Sequence, residues 1–385
     1  MLMRGASYVM YISKLISMNV TGRTGFDTVF AQEEDLKILA PQAVMERREA
    51  GLEGLVGNLD CVIINTEVDR LVPAVYELLR YTGLSCREAF FDDRGQSYVL
   101  AVAGSPSIVV RSRTAGANPF LPYNAGRLSV GAPATRLETF VFSTPDIHKY
   151  VRIQKSRGVR FLTDQPVESL HWSYIQTAPS AYTGNALGFI EWHGRGRSYA
   201  PDDATYIKSD VLKPDLPHLG TIFELDHAAT RVRAQDRNAA ILEFLLLTNY
   251  HYDFAVYVKS LNSITSVARR DKTDYAMVFT SGITPYTSDE ASGPTEKFIR
   301  SYGTRVHHIA FRTEQIEKTV AALKNDGQDF LLELVGSPAE GLKQIFSEPS
   351  KNTLLVTEYI HRYGDFDGFF TQSNVEKLTA ATGRQ

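Results

Sequence analysis

Apolar residues recur along this chain in two rhythms, and the order of those rhythms itself repeats. From Thr144 to Leu162 (TPDIHKYVRIQKSRGVRFL) and again from Thr313 to Leu331 (TEQIEKTVAALKNDGQDFL), apolar side chains return at helical spacing, as at Ile316, Val320 and Leu323. Residues three or four apart share one face of a helix, so each stretch reads as an amphipathic helix. Gly158 and Gly327 follow as C-terminal caps, because glycine enters the left-handed conformation that ends a helix without a steric penalty. A strand beginning at Phe161 or Phe330 should come next. The two stretches align without a gap at a displacement of 169 residues, with Thr, Ile, Lys, Val, Gly, Phe and Leu matching in place.

Two further pairs extend the repeat. GNLDCVIINT from Gly57 pairs with FELDHAATRV from Phe223, and NALGFIEWHGR from Asn185 pairs with NTLLVTEYIHR from Asn352, at displacements of 166 and 167. Three segments in one order at nearly one displacement mark a duplicated domain, and such repetition decides an architecture. Within the later copy, Leu225–Val232 reads as a strand, Ala239–Leu247 as a helix and Phe254–Phe279 as several strands. Arg305–Arg312, Ile316–Lys324 and the strands to Ile360 then repeat the series. The expected fold class is α+β: four βαβββ modules paired into two tandem domains, residues 57–195 and 221–385, the latter ending in a C-terminal helix. Residues 196–220, with three prolines and several aspartates, read as the linker, and GRGR at 194–197 as a domain-exit turn. Residues 1–56 form an N-terminal extension whose helical stretch Glu33–Glu49 packs on the first domain or stays partly disordered.

Composition narrows the function more than the fold. With 43% apolar and 22% charged residues the chain is an ordinary globular protein. A net charge of −3 and the lack of a long basic run argue against a nucleic-acid partner and leave a small molecule as the expected one. Cys61 and Cys86 are too few for a disulfide framework or a thiolate zinc site, so a reducing cytoplasm is expected. Met1 to Met18 is broken by Arg4 and Lys14 and does not read as a secretory signal, and no apolar run approaches the ~18 residues of a membrane span. No GxSxG, GxxxxGK[ST] or GxGxxG occurs, which removes serine-hydrolase, phosphate-loop and dinucleotide readings.

Candidate chemistry lies where the two copies differ. Cys61 aligns with His227 and Thr139 with His308, while Glu191 aligns with Glu358, so the carboxylate is expected in both halves and the imidazoles in the second alone. Two imidazoles and a carboxylate leave coordination positions open for substrate and oxygen, the donor set of iron(II) oxygenases. Glu358 lies in the apolar strand LLVTEYI, where a carboxylate without a cation is costly. His307 is expected to alternate away from the face of His308. His148, His171, His193, His218, His251 and His361 are read as ordinary surface or core side chains.

At these residues the chain resembles the 4-hydroxyphenylpyruvate dioxygenase family of the vicinal oxygen chelate superfamily. The resemblance runs from about residue 57 to 375 and is strongest at LDH (225–227), SLNS (260–263), HHIAF (307–311), LKQIFSEP (342–349), TEYIHR (357–362) and GFFTQSNVEKL (368–378). It implies two domains of paired βαβββ modules forming open barrels, a glyoxalase-like fold, with Fe(II) held by His227, His308 and Glu358 inside the second. It implies an α-keto acid, aryl in the family's best-known members, that is oxidatively decarboxylated with O2 and hydroxylated. Ser263, Gln344 and Phe346 match the family's substrate positions, and Phe369 or Phe370 is expected at its gate. A homo-oligomer, dimer or tetramer, is expected. The chain departs from the pattern at His307, where the family has glutamine, at Val375, where it has an aromatic residue, and in AMVFTSGITPY (276–286), which lacks the family's Asn-Glu-Pro turn. Alternatives are an extradiol ring-cleaving dioxygenase, a non-redox metal-dependent lyase or isomerase of the same fold, and a binding protein without turnover. The extradiol reading calls for a tyrosine eight to ten residues before the glutamate, a window that holds Glu348, Pro349 and Ser350.

Overall fold

A computed structural model describes residues 26–194, 196–272 and 274–384, with side chains from residue 34 to 383, so the reading of Met1–Met18 lies outside the described residues. The first half contributes strands β1 (Leu59–Asn65), β2 (Ser85–Asp92), β3 (Gly95–Ala101), β4 (Ser107–Arg113), β5 (Arg136–Ser143), β6 (Val167–Glu168), β7 (Trp172–Gln176) and β8 (Ala186–Trp192). A short β9 (Thr205–Tyr206) comes from the stretch read as linker. The second half contributes β10 (Ile222–Arg231), β11 (His251–Val258), β12 (Ser263–Arg269), β13 (Ala276–Gly282), β14 (Arg305–Thr313), β15 (Val335–Ser337), β16 (Leu342–Phe346) and β17 (Val356–Arg362). The helices are α1 (Phe26–Glu49), α2 (Leu71–Tyr81), α3 (Ile147–Ser156), α4 (Arg237–Leu247), α5 (Pro294–Tyr302), α6 (Ile316–Asn325) and α7 (Gln372–Ala381).

The two sheets run β6-β7-β8-β5-β1-β4-β3-β2-β9 and β11-β12-β13-β10-β14-β17-β16-β15. In each, two modules join through their first strands, β1 with β5 and β10 with β14, both antiparallel. This is the predicted α+β arrangement of two tandem pairs of βαβββ modules. The strands expected at Phe161 and Phe330 shrink to single bridges, to Thr177 and Ser347, and pairing proper resumes only at β6 and β15. Helix α5 was not expected, although Pro294 at its start and Gly303 past its end (φ 82°) are its punctuation.

One apolar core joins the halves. In α4 every residue except Glu243 is buried, as a helix apolar on all sides must be. The last carbonyls of a helix lack partners within it, and here other helices supply them. Arg47 of α1 donates to the carbonyls of Leu245, Thr248 and Tyr250 (3.0, 2.8 and 2.8 Å), Tyr150 to Leu247 (2.7 Å) and Gln154 to Leu246 (3.0 Å). The N-terminal helix therefore packs chiefly against the second half, while Glu46 pairs with Arg157 of the first at 2.6 Å.

Candidate metal centre

The centre forms on the central strand pair of the second sheet and depends on two irregularities in it. Leu225 faces Phe311 and His227 faces Ala310, so Asp226 is an extra residue on β10; Ala229 faces His308 and Thr230 faces Val306, so His307 is an extra residue on β14. Such bulges break the two-residue alternation and turn neighbouring side chains to one side. This corrects the expectation for His307, which lies beside His308 instead of across the sheet: their rings meet edge to face at 5.2 Å and both line one cavity. The same bulges occur in the first sheet, at Asp60 and Glu138.

Strand β17 runs parallel to β14, with His308 opposite Val356 and Ala310 opposite Glu358. His227, His308 and Glu358 thereby converge, with one donor atom from each within 4.8 Å of the others. Glu358 Oε2 lies 3.1 Å from His227 Nε2 and 3.3 Å from His308 Nε2. All three atoms are buried, and none has a hydrogen-bond partner outside the three. Three unpaired donors facing one point are costly in a protein interior unless a cation sits among them, and the donor set fits a divalent transition metal.

The remaining atoms of the three side chains are held in place. Asp226 Oδ1 accepts from His227 Nδ1 at 2.7 Å, and Arg362 binds Asp226 through two nitrogens at 2.5 and 3.0 Å. With Nδ1 protonated, His227 presents an unprotonated Nε2. His308 Nδ1 lies 2.9 Å from His307 Nδ1. If His308 Nε2 is to offer a lone pair, its Nδ1 carries the hydrogen and His307 accepts it. Gln344 Nε2 donates to Glu358 Oε1 at 2.6 Å and to the Phe369 carbonyl at 2.8 Å, and Asn374 Nδ2 donates to Gln344 Oε1 at 3.1 Å. Only Oε2 of Glu358 is left to the centre. Sequence reading missed Asp226 and His307 because strict alternation points such neighbours elsewhere, and Arg362 and Asn374 because their partners lie far away along the chain.

The two imidazoles differ in electrostatics. Burial opposes a charge on His227, but the carboxylates of Glu358 and Asp226 outweigh it and raise its pKa to about 9. His308 is held well below the usual histidine value by burial, with His307, His227 and Arg231 adding to the effect. A proton and a metal ion thus compete for one place, beside His227.

Of the expected substrate residues, Ser263, Phe346 and Phe370 line a cavity of about 40 Å³ beside His308, together with His307, Arg231 and Val375. Phe369 and Phe370 stand edge-on to the His227 ring at 5.5 and 5.9 Å, and Phe346 lies 4.7 Å from that of His308. Gln344 is fully buried with its amide spent on Glu358, Phe369 and Asn374, which makes it a brace of the glutamate in this structure.

Among the described residues the first half carries no equivalent set. Cys61 and Thr139 do occupy the places of the two histidines. The glutamate's place belongs to Gly188, not Glu191: Val141 faces Gly188 in β8 as Ala310 faces Glu358 in β17. The turns before the two strands agree, with Gly184 N bonded to Ser180 O and Leu354 N to Ser350 O, at φ 66° and 60°. A side chain at Gly188 would strike Tyr174, whose hydroxyl lies 2.8 Å from the Cβ position. Glu191 instead accepts from Ile147 N at 2.8 Å, at the start of α3.

No protein-family model and no curated protein sequence matches this chain. Solved structures do. A triple mutant of 4-hydroxymandelate synthase from Streptomyces coelicolor matches with a TM-score of 0.64 and 16% identity over 86% of this chain and 99% of that one. A xylose isomerase-like TIM barrel/4-hydroxyphenylpyruvate dioxygenase fusion protein matches at 0.59 and 14% over 91% of this chain and 58% of that one. A halotolerant catechol dioxygenase matches at 0.50 and 9% over 82% of this chain and 91% of that one. The likeness shows the fold, two tandem pairs of βαβββ modules.

Proposed function

We propose that the chain is a non-haem iron(II) dioxygenase of the 4-hydroxyphenylpyruvate dioxygenase type, which oxidatively decarboxylates an α-keto acid with O2 and hydroxylates it. The observation that carries this reading is the convergence of His227, His308 and Glu358, three buried donors without hydrogen bonds outside the three, inside the second barrel. Bound there, iron(II) supplies the dioxygen chemistry that amino-acid side chains lack, and positions at which a keto acid chelates. Asp226 and His307 hold the two imidazoles in the ligating tautomer, and Gln344 turns Glu358 so that one oxygen serves the centre. Phe346, Phe369 and Phe370 exclude water around the reacting atoms.

The cavity beside His308, about 40 Å³, falls far below the roughly 300–1,000 Å³ of ordinary small-molecule sites, so substrate entry requires Phe370 and α7 to give way. Such an enzyme works in the cytoplasm as a dimer or tetramer; among the described residues no helix is long and apolar enough to cross a membrane. Anaerobic titration of the iron(II)-loaded protein with aryl and alkyl α-keto acids tests the reading through the visible charge-transfer band of a chelate. A band with at least one class is expected. No band with any of them, or one with catechol alone, would sink it.

A further inference from the structure

We propose that Arg231 anchors a second, anionic subsite, so that the substrate is a keto acid with a carboxylate at the end remote from its keto group. This rests on the keto-acid reading above and adds to it the chemical class of the far end.

Arg231 is 4% exposed, yet its Nη1 has no hydrogen-bond partner. Among the described residues no carboxylate pairs with it. Burying a guanidinium in that state is expensive, and natural proteins seldom leave one so unless something else supplies the oxygens. Other buried arginines here also keep one nitrogen without a partner but anchor the rest of the guanidinium. Arg47 binds three backbone carbonyls and Arg136 those of Thr183 and Thr304. Arg231 binds none.

Its position points to a ligand. His227, Ala229 and Arg231 alternate onto one side of β10, which puts Arg231 about 13 Å along the strand from His227 at the usual ~3.3 Å per residue. Its side chain lines the same cavity as His308, Ser263 and Phe346. Opposite it on β13 stands Thr280, which lines that cavity too and whose hydroxyl is also buried without a partner. The hydroxyl side chains of Thr265 and Thr295 complete the wall. Phe298 of α5 lies against the guanidinium, 4.4 Å from ring centroid to Cζ, a cation–π contact that supports the face and leaves the N–H edge for anionic oxygens. A cation and a hydroxyl, both unsatisfied and paired across two strands, match the two oxygens of a carboxylate.

The test uses ligands differing only at the far end: phenylpyruvate against 4-carboxyphenylpyruvate, and 2-oxohexanoate against 2-oxoadipate. Dissociation constants are measured by calorimetry on the iron(II)-loaded protein without oxygen. The carboxylate-bearing member of at least one pair should bind about tenfold or more tighter, the scale of a charge-assisted hydrogen bond. The preference should collapse to near unity in Arg231→Met, survive in part in Arg231→Lys and weaken in Thr280→Val. Equal binding of both members by the wild type, or a preference undiminished in Arg231→Met, overturns the proposal. Should Arg231→Met fail to fold, an undiminished preference in Thr280→Val together with Arg231→Lys overturns it. Terephthalate against benzoate separates the two readings, since neither has a keto group. A terephthalate preference lost in the arginine variant supports the subsite even where no keto acid chelates, and its absence there counts against the subsite.

Discussion

Replacing Asp226 by asparagine tests whether the centre is tuned by the residues behind its ligands. In the native arrangement Asp226 accepts from His227 Nδ1 at 2.7 Å and binds Arg362 at 2.5 and 3.0 Å. Asparagine has the same shape but one acceptor and one donor. If its amide nitrogen faces Arg362, two donors meet; if it faces His227, the imidazole must place its hydrogen on Nε2, the atom turned toward Glu358. Either way His227 is a poorer ligand. Losing such a partner weakens a metal site about 10–100-fold, so the dissociation constant for Fe(II) or Zn(II), measured by competition with a chelator, should rise by that factor. The metal-free variant should also lose about 2–4 kcal/mol of stability, because Arg362 loses its one hydrogen-bonded carboxylate in a mostly buried place. An affinity within twofold of the wild type, with the stability loss present, would show that Asp226 serves the fold alone and refute the reasoning.

Three further outcomes follow from the same geometry. His307→Ala removes the acceptor behind His308 and should weaken metal binding about 10–100-fold, while His307→Gln, which can accept the same hydrogen, should recover most of it; equal losses in both would contradict the tautomer argument. The raised His227 pKa, about 9 against an ordinary 6.5, means that protonation stabilises the metal-free fold fully below pH 6.5 and that this contribution fades as pH rises through 9. Metal uptake at neutral pH should therefore release close to one proton, read by calorimetry in buffers of different ionisation enthalpy, and a heat independent of buffer would be the wrong result. Arg47→Met leaves the Leu245, Thr248 and Tyr250 carbonyls without their donor and should cost on the order of 3 kcal/mol in urea unfolding; an unchanged midpoint would show that water replaces the guanidinium.

Repetition made the fold legible: helices that keep an apolar face, and strands that keep their order, carry that information in single residues. It also made Cys61 and Thr139 legible as the counterparts of His227 and His308. It failed where the backbone departs from its period. A bulge adds one residue without a change of composition, so neither Asp226 nor His307 could be placed by alternation. The pairing of Glu191 with Glu358 failed for a related reason, since a chance match of NxL and E at a displacement of 167 hid the true one of 170. The serines that open the two turns, Ser180 and Ser350, carry that true displacement and were the available signal. Arg231 was unreadable because a guanidinium declares a role only when its partners, or their lack, are seen in space.

The proposed chemistry depends on an ion between two imidazoles and a carboxylate. Crystals grown with Fe(II) under anaerobic conditions and measured on both sides of the iron absorption edge would locate it. A single anomalous peak bonded to His227 Nε2, His308 Nε2 and Glu358 Oε2 is the expected result. Iron elsewhere, or none in a crystal of the folded protein, would contradict it.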